Sequence, residues 1–162
     1  MKVRPYTSDD APALVALFHA AVHGIARLYY SQAQVDAWAP EVPDPARFRA
    51  RAADGRTVLV AVDAADAPLA YGDVEADGHI DHLFCRPDAA GTGVTAALYA
   101  GLEAAARARG IGLLYVEASE PARRFFLKQG FVLIGRHDFE MAGVSIHNFE
   151  MEKRLRADRP SG

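Results

Sequence analysis

The sequence predicts an α/β domain: a mixed, mostly antiparallel sheet of about six to seven strands with helices on both faces. Three observations lead there. Strand-length runs rich in β-branched residues alternate with longer stretches of helical apolar spacing. Two turn signals, Asp77-Gly78 and Ala142-Gly143, join strand-like segments into hairpins. Between them a glycine-rich turn at residues 91–95 leads straight into a long alanine-rich helix.

Residues 3–6 read as the first strand. Thr7, Ser8, Asp9 and Asp10 then supply caps and first-turn acids for a helix whose Leu14, Leu17, Phe18, Ala21, Val22, Ile25 and Leu28 form a core face. A second helical piece spans residues 31–38, and Pro40, Pro43 and Pro45 punctuate the way to a third around residues 46–53. Residues 57–62 are strand-like by β-branched content; a turn at 63–68 precedes a strand at 69–76. Asp77-Gly78 turns into a strand ending at Leu83-Phe84-Cys85.

In the long helix Val94, Leu98, Leu102 and Ala105 recur at helical spacing, Glu103 and Arg107 form an i, i+4 pair, and Gly110 is a C-terminal stop. Its small residues Ala97, Gly101, Ala104 and Ala108 let it lie close on a sheet. Residues 113–118 follow as a short buried strand, and Ser119-Glu120-Pro121 start a helix that reaches Gly130. Residues 131–141 and 144–155 close as a hairpin. This is one domain over residues 1–156, with residues 157–162 as a frayed tail.

At 162 residues and 51% hydrophobic content the chain suits a single core. Eighteen Lys and Arg against 21 Asp and Glu leave a net charge of −3, which argues against nucleic acid or an anionic membrane as partner. One cysteine excludes an intrachain disulfide framework, and no Cys/His set has zinc spacing, so no metal is expected. Residues 1–10 lack the apolar core of a signal peptide, and no uncharged run approaches the ~20 residues of a membrane span. The expected setting is cytoplasmic.

A glycine-rich turn feeding a helix leaves backbone N–H groups unpaired and backed by the positive end of the helix dipole. Gly91 and Gly93 have no side chain to hold an anion off the main chain; the plainer reading is that they only permit the turn. Two nucleotide motifs are absent: there is no Lys-Ser/Thr pair for a γ-phosphate and magnesium, and no third glycine in G-x-G-x-x-G register. A nucleotide diphosphate held mainly by backbone N–H groups from Gly91 to Thr95 remains.

The strand Ile80-Asp81-His82-Leu83-Phe84-Cys85, the glycine turn and long helix, and the later Ser119-Glu120-Pro121-Ala122-Arg123-Arg124-Phe125-Phe126 helix with its Gly130-Phe131 step carry a resemblance. With these motifs in this order the chain resembles the GNAT superfamily of acetyl-CoA-dependent N-acetyltransferases. Tyr29-Tyr30-Ser31, Ala37-Trp38-Ala39-Pro40 and the terminal Asn148-Phe149-Glu150-Met151-Glu152-Lys153 look like a bacterial branch. The resemblance covers essentially the whole chain and is strongest from residue 72 to 155. Four positions depart from the family pattern: Ala90 for Gln or Arg, Thr95 for Gly or Ala, Ser119 for Asn, and Phe126 for the Tyr that can protonate the departing thiolate.

The resemblance implies direct acetyl transfer from acetyl-CoA to the primary amine of a small molecule or peptide. Leu83, Phe84 and Cys85 would meet the pantetheine arm, and Ala90, Gly91, Thr92, Gly93, Val94 and Thr95 the diphosphate. Ser119 and Phe126 fill the later motif, and Lys128, with Arg123 and Arg124, is a candidate phosphate partner. Cys85 has apolar neighbours and reads as core rather than as a nucleophile. For the general base, His82 comes first and Glu75 second, because both lie near the strand end where the thioester would sit; Tyr30 is a candidate acid. His23, Tyr29, Tyr30 and Trp38 are candidate acceptor walls. A homodimer is common in the family. The alternative reading is a CoA-binding sensor whose transfer chemistry has decayed, with Ala90 and Phe126 as its evidence.

Overall fold

The computed structural model describes residues 1–155; the boundary expected at residue 156 and the tail beyond it lie outside the described residues. Sixteen elements follow the predicted order. The first sheet runs β1-β2-β3-β5 and is antiparallel throughout, from β1 (Lys2–Pro5), β2 (Thr57–Val62), β3 (Pro68–Val74) and β5 (Leu83–Cys85). The second runs β4-β6-β8-β7, from β4 (His79–Ile80), β6 (Leu113–Ala118), β7 (Val132–Met141) and β8 (Val144–Arg154). Only its β4–β6 pair is parallel.

The strand expected to end at Cys85 is therefore two strands in two sheets, and the single expected sheet is split. The cause is a side chain that competes with the ladder. Asp73, fully buried in β3, accepts the backbone N–H groups of Asp81 (3.0 Å) and His82 (2.9 Å) on one carboxylate oxygen. Its other oxygen takes Arg51 at 2.6 Å and Arg56 at 3.2 Å. The chain bends there, so residues 79–80 pair with β6 while residues 83–85 pair with β3. Gly78 secures the junction: its φ is +99°, and a Cβ would fall 1.9 Å from the Leu113 carbonyl oxygen.

Five α-helices cover the sheets: α1 (Ala11–Gly24), α2 (Gln32–Trp38), α3 (Pro45–Ala52), α4 (Val94–Ala108) and α5 (Glu120–Lys128). Period-2 alternation divides the first sheet's core. Val60, Val62 and Tyr71 pack with Leu14, Val15 and Phe48 of α1 and α3, while Ala61 and Ala70 face Val94 and Leu98 of α4. Further along, Tyr99, Leu102 and Ala106 of α4 join Leu114, Val116 and Met151 of the second sheet, so one helix ties both sheets together. The stretch Ser8–Leu28 is long and apolar enough to cross a membrane, contrary to the expectation from sequence, because its charged residues sit near its ends. Here it buries Leu14, Val15, Leu17, Ala21 and Val22 in the core.

Candidate active site

Two clefts open where the sheets diverge. The first, of 420 Å³, is bounded by the glycine turn, β5, the last turns of α1 and the start of α5. Gly91 (φ +76°) and Gly93 (φ +86°) are both left-handed, and a Cβ on either would meet nothing within 4 Å. Among the described residues, the N–H groups of Gly91, Gly93, Val94 and Thr95 have no hydrogen-bond acceptor. Open space lies over unpaired donors at the positive end of a 15-residue helix. That arrangement fits a diphosphate.

The wall beside it fits an amide-bearing arm. In the β3–β5 ladder, Asp73 N–H bonds to the His82 carbonyl (3.0 Å) and Arg86 N–H to the Leu69 carbonyl (2.8 Å). Antiparallel alternation then directs the backbone polar groups of Leu83 and Cys85 to the open edge. Phe84, expected to share this role, bonds back to β3 and offers its ring to the cleft instead. Ala90, Gly91, Gly93, Val94, Thr95, Ser119 and Lys128 line the cleft. Thr92 does not: its N–H (3.3 Å) and hydroxyl (2.5 Å) both bond the Ala89 carbonyl. Arg123 is drawn away by Glu120 at 3.3 Å and covers the Phe149 ring at 4.5 Å. Arg124 is exposed and lies outside the cleft wall. Burial pushes the Cys85 thiol up, against the pull of a Thr95 hydrogen bond, so it is a poor nucleophile near neutral pH.

The second cleft, of 470 Å³, lies on the other side of β5 and shares Trp38, Leu83, Phe84, Ser119 and Ala122 with the first. Its walls are largely aromatic and aliphatic, from Phe18, Trp38, Phe84, Phe139, Met141 and Ile146. His82 lines it, stacked on Phe18 at 5.6 Å, with Nδ1 2.9 Å from the hydroxyl of buried Tyr71. Burial, reinforced by the Arg51 charge, lowers the His82 pKa to about 4, so the ring is neutral at pH 7 and only a weak base. Glu75, the second candidate base, lines neither cleft; it pairs with Arg56 at 3.2 Å and His79 at 3.4 Å.

Tyr30 lines the second cleft, but its hydroxyl is committed. It donates to the His147 carbonyl (3.0 Å) and accepts from the Glu120 N–H (2.8 Å), fastening α5 to β8. A free acid is not what this geometry offers. His23 and Tyr29 line neither cleft: the His23 Nε2 is 2.7 Å from the Ala39 carbonyl oxygen, and Tyr29 faces solvent. Trp38 lies in both walls. Phe126 faces the second cleft at 1% exposure and packs on Phe131 at 4.9 Å, with no proton to give.

A GNAT acetyltransferase domain model matches residues 27–153, most of the chain. The chain belongs to the GNAT acetyltransferase family. This GNAT protein is 29% identical over 151 residues to the uncharacterised N-acetyltransferase YafP of Escherichia coli K12, covering 93% of this chain and 94% of that one. It is 35% identical to a GCN5-related N-acetyltransferase from Rhodopseudomonas palustris, with a TM-score of 0.86 over 95% of both chains. A phosphinothricin acetyltransferase from Sinorhizobium meliloti, solved with acetyl-CoA, shares the fold at a TM-score of 0.76 and 18% identity, over 95% of this chain and 88% of that one. This GNAT protein is an acetyl-CoA-dependent acyltransferase.

Sequence reasoning passed over several cleft residues of this GNAT enzyme. His79 bonds Glu117 at 2.5 Å and stacks on Tyr115. Burial alone would lower its pKa, but the Glu117 hydrogen bond and the Glu117, Glu75 and Asp81 charges outweigh that and raise it. His147 bonds Glu120 at 2.6 Å, and Asn148 stands beside it in the wall. These groups come from β4, β6, α5 and β8, and no local pattern connects them. The one available signal was position: Glu117 and Glu120 flank Ser119, itself a motif residue.

Proposed function

We propose that this enzyme moves an acetyl group directly from acetyl-CoA to a primary amine seated in the aromatic cleft. One observation carries the reading: the two clefts meet at the open edge of β5, with Leu83, Phe84, Ser119 and Ala122 common to both. Acetyl-CoA supplies an activated acyl carbon that an amine nitrogen can attack as the thiolate departs. The chain's part is to hold and orient the reactants and to move one proton. Unpaired N–H groups at the start of α4 hold the diphosphate; the Leu83 and Cys85 backbone aligns the arm. Trp38 and Phe84 line both clefts, with their rings at the place where donor and acceptor would meet.

The amine must lose a proton in the reaction, and the second cleft offers His79 with Glu117 as well as His82. His79 is the better placed of the two in basicity, because the acids around it raise its pKa whereas His82 is depressed. A single cysteine, half-buried, supports a cytoplasmic setting. The test is thiol release from acetyl-CoA with a broad amine panel, together with mass detection of the acetylated product. Release that depends on the amine and matches product one for one is expected. Release that no amine accelerates would remove the proposal.

A further inference from the structure

We infer that the acceptor is a cationic amine that carries no carboxylate, as in alkylamines, arylalkylamines and diamines rather than α-amino acids. The inference rests on the acetyl-transfer reading above and deepens it. Its basis is the charge inventory of the second cleft. Asp81 and Glu117 line it, and among the described residues no Lys or Arg does. The guanidinium groups behind its walls each hold carboxylates of the protein: Arg51 and Arg56 bond Asp73 and Asp81, and Arg123 pairs with Glu120. Arg136 lines an adjoining groove and holds Asp138 at 3.0 Å.

Nor do the cleft histidines supply a counter-charge. His79 sits between Glu75 and Glu117, and His147 lies 2.6 Å from Glu120, so protonating either ring only offsets a carboxylate already beside it. A substrate carboxylate entering here would lose its hydration shell and find no cation. An ammonium would find carboxylates and aromatic faces, including Trp38, that attract positive charge. A separate observation agrees. The Oδ1 of Asn148, a residue of the same wall, is buried and has no hydrogen-bond partner among the described residues, so it is an uncompensated acceptor that adds to the negative side of the cleft.

Two matched pairs test this: 2-phenylethylamine against phenylalanine, and cadaverine against lysine. Each pair differs by one carboxylate. Turnover is followed with acetyl-CoA, and binding with CoA through the fluorescence of Trp38, the only tryptophan in the chain. In both pairs the amine should exceed the amino acid in kcat/KM by at least about tenfold. Glu117→Gln should narrow that ratio about threefold or more while circular dichroism stays unchanged, because it removes one of the repelling charges. A carboxylate that served only to pack β6 would leave the ratio alone. Amino acids used as well as their amines, or a ratio untouched by Glu117→Gln, would overturn the inference. If neither member of either pair is acetylated, acetyl transfer to amines fails by itself and binding decides. Amine-selective fluorescence change upholds the charge argument, whereas binding of both members or of neither overturns it.

Discussion

At the scale of single residues, environment separates two histidines whose positions in the sequence look alike. His82 is enclosed by Phe18, Phe84 and Tyr71, and burial drives its pKa down to about 4. His79 lies among Glu75, Asp81 and Glu117, which together overcome its burial and raise it. Their linkage to folding has opposite signs. With a depressed pKa, His82 refuses a proton that the unfolded chain accepts, so stability falls as pH drops below the ordinary histidine value of about 6.5. The His79 contribution is fully present below that value and is lost as pH rises through its raised pKa. Between about pH 7 and pH 5 the His82 effect amounts to about 2 kcal/mol. In urea titrations, His82→Gln should lose about that much less stability than the wild type on going from pH 7 to 5. Equal losses in the two proteins would show that His82 titrates normally. Phe126 shows the same dependence on surroundings, since its ring belongs to the core cluster around Tyr99 and Phe131 as much as to the cleft.

At the scale of elements, α4 has two duties that its sequence separates by position. Its first turn leaves N–H groups without acceptors, where we propose the diphosphate binds, and its later turns, through Leu98, Leu102 and Ala106, bind the sheets. Gly93 governs the first duty alone, because a Cβ there touches no protein atom. Gly93→Glu should therefore keep the fold at a cost of about 1–2 kcal/mol for a left-handed non-glycine residue. Its negative side chain should abolish acetyl-CoA binding. Wild-type protein with acetyl-CoA at about 100 times its Kd should gain about 2.7 kcal/mol, a rise in Tm of about 5–10 °C. The variant should show no rise by differential scanning fluorimetry; an undiminished rise would place the diphosphate elsewhere.

At the scale of the whole molecule, the clefts exist because two sheets part at Asp81 and His82, and Asp73 holds that parting open. Asp73 is fully buried and serves two backbone donors and two guanidinium groups, while Arg56 also reaches Asp54, Glu75 and Asp81. Removing one member leaves the others buried and uncompensated. Asp73→Ala should cost about 3–5 kcal/mol, a large share of the 5–15 kcal/mol typical of a domain, read as a lower urea midpoint. A loss below about 1 kcal/mol, the size of an exposed ion pair, would mean that the bend is held by packing instead.

Element order, both hairpin turns and the glycine turn before α4 were legible in the sequence because each depends on neighbours within a few residues. Caps, prolines and positive-φ glycines act locally, and the continuous apolar, β-branched run of β2 marks a strand covered on both faces. The left-handed turn belongs to this class, as backbone geometry at Gly91 and Gly93 is set by those residues themselves. Only the tertiary structure decided the rest. The strand-like run from Ile80 to Cys85 carries no mark of the Asp73 carboxylate that bends it, and Tyr30 reads as an available hydroxyl until His147 and Glu120 close on it. Likewise His79 meets Glu117 across 38 residues of chain, and Asn148 joins them from β8. Protonation, hydrogen-bond commitment and cleft membership depend on distances between strands, and those are set by packing rather than by any spacing along the chain.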